Sequence, residues 1–245
     1  MDDLVLGECL RRPTRGKKVR LIQEWLCLNG FNVRIDGDFG PATESAVMGF
    51  QKQKRIAANG EVDKSTFERL TAPMRNAIAP MSANGKTLGS LVIACAKQHL
   101  IQHPVEVGGQ NRGPWVRLYM KGMEGPEYPW CAGFVCYVLL QACDALRQDS
   151  PVTSSFSCDT IAYSAKENNI FLKEPAAGAR DQIGAGSIFL HRGGFNDWTH
   201  TGFVVKAGDD TFQSIEGNTN DDGCCEGYEV CARMRGYKNI DFILI

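Results

Sequence analysis

From Lys18 the chain follows a helical rhythm: Val19, Ile22, Trp25 and Leu26 return at three- and four-residue spacing until Asn29-Gly30 ends the run. A turn-rich stretch, Asp36-Gly37-Asp38-Phe39-Gly40-Pro41, leads into a second pattern in which Thr43, Ala46, Val47, Phe50 and Gln51 share a face. A third begins after Asp63, an expected N-cap, and turns Phe67 and Leu70 inward. Three short helices with one common apolar face predict a small bundle over residues 1–71. Residues 72–86 hold two prolines, a glycine and no period, and are expected to be a linker. A second unit over 87–245 follows.

That unit reads as helices first and strands afterwards. Leu88 to about His103 is predicted helical and is stopped by Pro104; a second helix runs from near Trp130 to about Leu146, and a third from Cys158 to Asn168 behind Ser157 as N-cap. After Gly184 the texture changes to short β-rich runs at 187–191, 201–206, 211–215 and 237–245, separated by Gly, Asp and Asn. The fold class expected is therefore α+β.

Composition narrows the function. At 43% hydrophobic and 22% charged, with no apolar run near the roughly 20 residues of a membrane span, a transmembrane protein is excluded as a reading. Residues 1–80 carry a charge of +3 and residues 81–245 a charge of -4, and neither has the concentrated basic face of a nucleic-acid binder. The opening Met1-Asp2-Asp3-Leu4 is acidic and lacks an apolar segment, so no secretory signal is expected. Ten cysteines, at 9, 27, 95, 131, 136, 143, 158, 224, 225 and 231, include no C-x-x-C pair, and most are expected to be reduced core thiols.

One of the ten stands out. In Tyr128-Pro129-Trp130-Cys131-Ala132-Gly133-Phe134, Pro129 fixes the approach to a helix and Cys131 falls in the first turn, where unpaired N–H groups and the dipole favour thiolate. A cysteine nucleophile needs an imidazole base. Among four histidines, His99 and His103 lack the glutamate of a zinc-protease helix motif, and His191 reads as a loop-edge residue. His200 opens a strand whose later residues look buried, and is the favoured base. On the next strand Glu216 and Asn218 are two apart and are expected on one side, so either can accept the imidazole N–H while the other lines the site.

These patterns carry two resemblances. Val-Arg-x-x-Gln-x-x-Leu (19–26), Asp-Gly-x-Phe-Gly-x-x-Thr (36–43), Ala-Val-x-x-Phe-Gln (46–51) and Gly-x-Val-Asp-x-x-Thr (60–66) resemble the peptidoglycan-binding domain of bacterial and phage wall hydrolases. Residues 88–245, including Glu106-Val107-Gly108-Gly109-Gln110-Asn111-Arg112-Gly113, resemble the CHAP domain, a papain-like cysteine amidase and peptidase family related to NlpC/P60. The second resemblance implies Cys131 as nucleophile, His200 as base, and Glu216 with Asn218 as the polar pair completing the site. The segment 219–236, with Cys224, Cys225 and Cys231, departs from that pattern.

Together they imply a cell-wall hydrolase that cuts amide bonds of peptidoglycan with no cofactor and no metal. The bond is either the one joining lactyl group and L-alanine or one within the stem peptide. Asp36, Gly37, Phe39 and Gly40 in the first unit, and Tyr128 and Trp130 beside the nucleophile, are the residues expected to meet the polymer. A monomer is expected, synthesised in the cytoplasm and acting on the wall after delivery by another system. That fits an antibacterial toxin such as a type VI secretion effector, with an immunity protein as partner, or a phage endolysin. The rival readings are an inactive peptidoglycan-binding protein and a cysteine acyltransferase or transglutaminase on the same scaffold.

Overall fold

The computed structural model describes residues 2–220 and 227–245; Cys224 and Cys225 lie outside them. In the first unit α1 (Lys17–Leu28), α2 (Pro41–Gln53) and α3 (Lys64–Leu70) bury Val19, Ile22, Trp25, Val47, Phe50, Phe67 and Leu70 against one another. Asp63 caps α3, its carboxylate accepting from the Thr66 N–H at 2.7 Å. Two buried glutamines repeat one device. Gln23 donates to Asp36 at 2.9 Å and accepts from the Gly37 N–H at 2.8 Å; Gln51 donates to Asn59 at 3.0 Å and accepts from the Gly60 N–H at 3.0 Å. Each side-chain amide replaces the water that would otherwise satisfy a turn backbone.

The stretch expected to link the units contains a helix, α4 (Ala72–Ala77), which buries Met74 and Ala77. Its proline stands at the start of the helix, where no intrahelical N–H is needed. The same geometry explains α6 (Pro114–Tyr119), which the sequence pattern did not announce. Trp25 of α1 meets Trp115 of α6 edge-on at 6.3 Å, and one apolar core runs through both units.

The second unit places α5 (Leu88–Ile101), α7 (Cys131–Leu146) and α8 (Cys158–Glu167) against an antiparallel sheet. Among the described residues that sheet has six strands: β1 (Phe171–Leu172), β2 (Ile188–Gly194), β3 (Asp197–Ala207), β4 (Thr211–Thr219), β5 (Glu229–Gly236) and β6 (Ile240–Ile243), in spatial order β1-β6-β2-β3-β4-β5. Mixed helices and an antiparallel sheet are the α+β class that the sequence predicts. Hydrophobic α7 packs on β3 and β4 at the middle of the sheet, which sets its N-terminus beside the strands carrying His200 and Glu216.

Candidate active site

Cys131 is the first residue of α7, and the chain reaches it through a braced approach. Trp130, the N-cap residue, is fully buried and donates its indole N–H to Glu106 at 2.8 Å. The second Glu106 oxygen accepts from the Asn111 N–H at 2.8 Å, and the Asn111 side chain donates to Pro126 O at 3.1 Å. Thus the 106–113 loop fixes the 125–130 segment that delivers the thiol. Close packing fixes the other side. Gly217 of β4 lies so near α7 that a Cβ there would stand 2.7 Å from Phe134 and 2.8 Å from the Trp130 ring.

His200 on β3 is 1% exposed, and its Nε2 lies 2.9 Å from Glu216 on β4. The register explains how that pair forms. Glu216 is directly opposite Gly202, two residues beyond His200 on the same strand face. A Cβ at position 202 would stand 2.8 Å from Glu216 Cγ and 2.7 Å from the Phe189 ring, so glycine leaves Glu216 room to lean across to the imidazole. His200 Nδ1 has no hydrogen-bond partner in the resting structure, which leaves it for the thiol whose charge it feels.

Glu216 is in turn gripped by Arg235 of β5, whose Nε and Nη2 donate to its two oxygens at 2.6 and 2.5 Å, and by the Ser214 hydroxyl. Burial alone would raise its pKa, but the Arg235 and His200 hydrogen bonds hold it at about 2. Burial likewise opposes charge on His200, yet the neighbouring Cys131 and Glu216 push it up to about 9. Cys131 is drawn well below the usual thiol range, first by a hydrogen bond from Cys158, then against burial by His200 and the Ala132 N–H. Cys158 stays a thiol, raised by that same contact and by burial. The directions of these shifts favour a thiolate–imidazolium pair, backed by a carboxylate and a guanidinium. By linkage, the His200 contribution to stability is full below 6.5 and lost as pH rises through about 9. The Glu216 contribution is full above 4.5 and lost as pH falls through about 2.

Cys131, His200 and Glu216 are thus brought together as the sequence expected; the Asn218 side chain makes no hydrogen bond to any of them. Asn218 sits at φ +56° at an irregularity in the β4–β5 register, so the two-residue alternation from Glu216 fails, and its buried side-chain amide has no partner. Tyr128 is half-buried near the approach, whereas Trp130 and Phe39 are core residues with no exposed face for a ligand. Asp36 and Gly37 line a cavity of about 590 Å³ with Arg15, Lys17 and Arg34, and Gly40 precedes α2. His99 is enclosed in the core between Tyr119 and Gln141, at 2.9 and 3.1 Å.

Three participants escaped sequence reasoning, Arg235, Gly202 and Cys158, and Glu106 was seen there only as part of a motif, without a role. Arg235 and Gly202 are set by strand register, which no local pattern reports. Cys158 had a signal: like Cys131 it is the first residue of a helix, with Ser157 as N-cap accepting from the Thr160 N–H.

No curated protein matches the chain. Among solved structures, one described as the crystal structure of SleB N-terminal domain is 28% identical over 27% of this chain and 92% of that chain, with a TM-score of 0.27. Residues 15–70, the three-helix unit, match a family model described as a putative peptidoglycan binding domain.

Proposed function

We propose that the chain is a cell-wall hydrolase that cleaves amide bonds of peptidoglycan through Cys131, on a papain-like arrangement of helix and sheet. The observation that carries this reading is the relay of a helix-start thiol, a buried imidazole and a buried carboxylate. It occurs on the same chain as a unit similar to peptidoglycan-binding domains, the two sharing one core. The Cys131 thiolate attacks a stem-peptide carbonyl and the His200 imidazolium gives its proton to the leaving amine. The resulting thioester is hydrolysed when neutral His200 takes a proton from water. The Cys131 backbone N–H, at the open end of α7, is positioned to donate to the oxyanion.

Purified peptidoglycan treated with the protein is expected to yield soluble fragments by mass spectrometry, and Cys131→Ala is expected to yield none. Equal release by that variant would end the proposal. Whole stem peptides freed from sugar would assign the lactyl–alanine bond, and cut stems a peptide bond.

The pH dependence follows from the same pair. Hydrolysis needs His200 protonated in the resting enzyme, so kcat/KM is expected to fall above about 9, with its lower limb well under the ordinary thiol range. Alkylation of Cys131 needs only the thiolate and is expected to show no decline above that pH. A hydrolysis profile that rises through pH 9 would contradict the ion-pair mechanism.

A further inference from the structure

The hydrolytic reading uses one sulfur, but the site contains two. Cys158 Sγ lies 4.0 Å from Cys131 Sγ, and both residues begin helices, α8 and α7 respectively. Cys158 is 7% exposed and Cys131 4%, so the pair shares one enclosed volume. Its placement is braced on both sides. Asp159, the next residue, accepts from the Trp198 N–H of β3 at 2.8 Å, tying the start of α8 to the strand that carries His200. The segment before it is pinned through Ser155, whose backbone O and N lie 3.2 and 3.4 Å from Cys136 Sγ on α7.

We propose that Cys131 and Cys158 form a dithiol modification site for hydroperoxides, in which Cys131 is oxidised and Cys158 resolves it as a reversible disulfide. A disulfide needs the sulfurs at about 2.05 Å, an approach of roughly 2 Å from the resting contact. Such a shift can be shared between two side-chain rotations and the non-helical 148–157 connection.

The Cys131 thiolate attacks one peroxide oxygen, the O–O bond breaks, and hydroxide leaves, giving a sulfenic acid. Cys158, giving up its proton to that hydroxide, then attacks the Cys131 sulfur and expels a second hydroxide, which takes the proton held on the His200 imidazolium and leaves as water. The two thiols supply the two electrons and the peroxide is reduced to two waters. A dithiol reductant reverses the link. Without Cys158 the sulfenic acid has no thiol in contact among the described residues, and further peroxide carries it to the irreversible sulfinic state. The consequence is a nucleophile switched off, and spared, under oxidation. Nothing in the step requires that any amide be cut, so its test reads sulfur alone.

The full chain is treated with hydrogen peroxide at neutral pH, quenched with an alkylating agent, digested and sequenced by mass spectrometry. A peptide pair cross-linked through Cys131 and Cys158 is expected, with both thiols restored by dithiothreitol. Cys158→Ser and Cys158→Ala are expected to lose both cross-link and recovery, with sulfinic acid accumulating at Cys131. Cys136→Ser is expected to keep the cross-link. A sulfinic Cys131 in the unsubstituted chain at the same peroxide dose, or a disulfide from Cys131 to any other cysteine, would overturn the proposal. Hydrolytic activity does not enter either result, so failure here leaves the wall-hydrolase reading standing, and the reverse holds equally.

Discussion

Glu216→Gln is expected to lower turnover on peptidoglycan by about 10⁴-fold, the loss produced when the carboxylate of a Ser-His-Asp triad becomes an amide. Glutamine keeps the shape and an acceptor oxygen, so His200 remains in place, but the charge that sustains the imidazolium is gone. His200 then drops from about 9, because of the two groups that hold it up against burial only Cys131 is left. The thiolate of Cys131 loses its cation in the same step. A second consequence separates this carboxylate from a mere orienting group. Arg235 is left with its charge beside a buried neutral amide, and removing one partner of a buried ion pair costs about 3–5 kcal/mol. Urea unfolding of Glu216→Gln and of Arg235→Met with Glu216→Gln tests this. The double variant is expected to recover much of the loss in stability and none of the activity. A Glu216→Gln protein with turnover within tenfold of the original would show that the relay ends at His200.

The helical rhythm of 18–70 made the first bundle legible because each helix there is amphipathic against one small core, and each has a capping or breaking residue at its boundary. Cys131 was legible for a related reason: the chemistry of a helix start is local and can be seen in Pro129-Trp130-Cys131. What escaped was of two kinds. The proline at 73 read as part of a linker although it opens α4, and Pro114, which opens α6, drew no reading, since proline stops a helix in its interior and suits its first turn. Strand register was the other kind. The position of Arg235 depends on β5, whose outer residues Ala232, Met234 and Gly236 are exposed and leave no apolar run to mark it. The Glu216–His200 contact depends on which residue faces Gly202, and the backbone turn at Asn218 goes with an irregularity farther along the same strand. Periodicity gives the faces of a regular strand; it is silent about bulges and about the partner's register.

Arg117→Ala is expected to destabilise the whole chain by about 3–5 kcal/mol, because this guanidinium is the polar centre of the contact between the two units. From α6 it donates to Asp3 at 2.8 Å, to Glu24 of α1 at 2.6 Å and to Glu124 at 2.7 Å. Glu24 is 2% exposed, and its other cation, Arg20, is at 3.4 Å. Alanine at 117 would strand that carboxylate between the units, and Glu124, which also accepts from the Gly113 N–H, would lose the partner that orients it. The 113–124 segment leads on to the approach to Cys131, so the damage is expected to reach the nucleophile. Iodoacetamide labelling of Cys131 should slow even where the protein remains folded. Arg117→Met combined with Glu24→Gln removes both charges from the interface and is expected to regain most of the stability. If Arg117→Ala unfolded within about 0.5 kcal/mol of the original, the range of an ordinary surface change, the guanidinium would not be holding the units together. The shared apolar core around Trp25 and Trp115 would then account for their association without it.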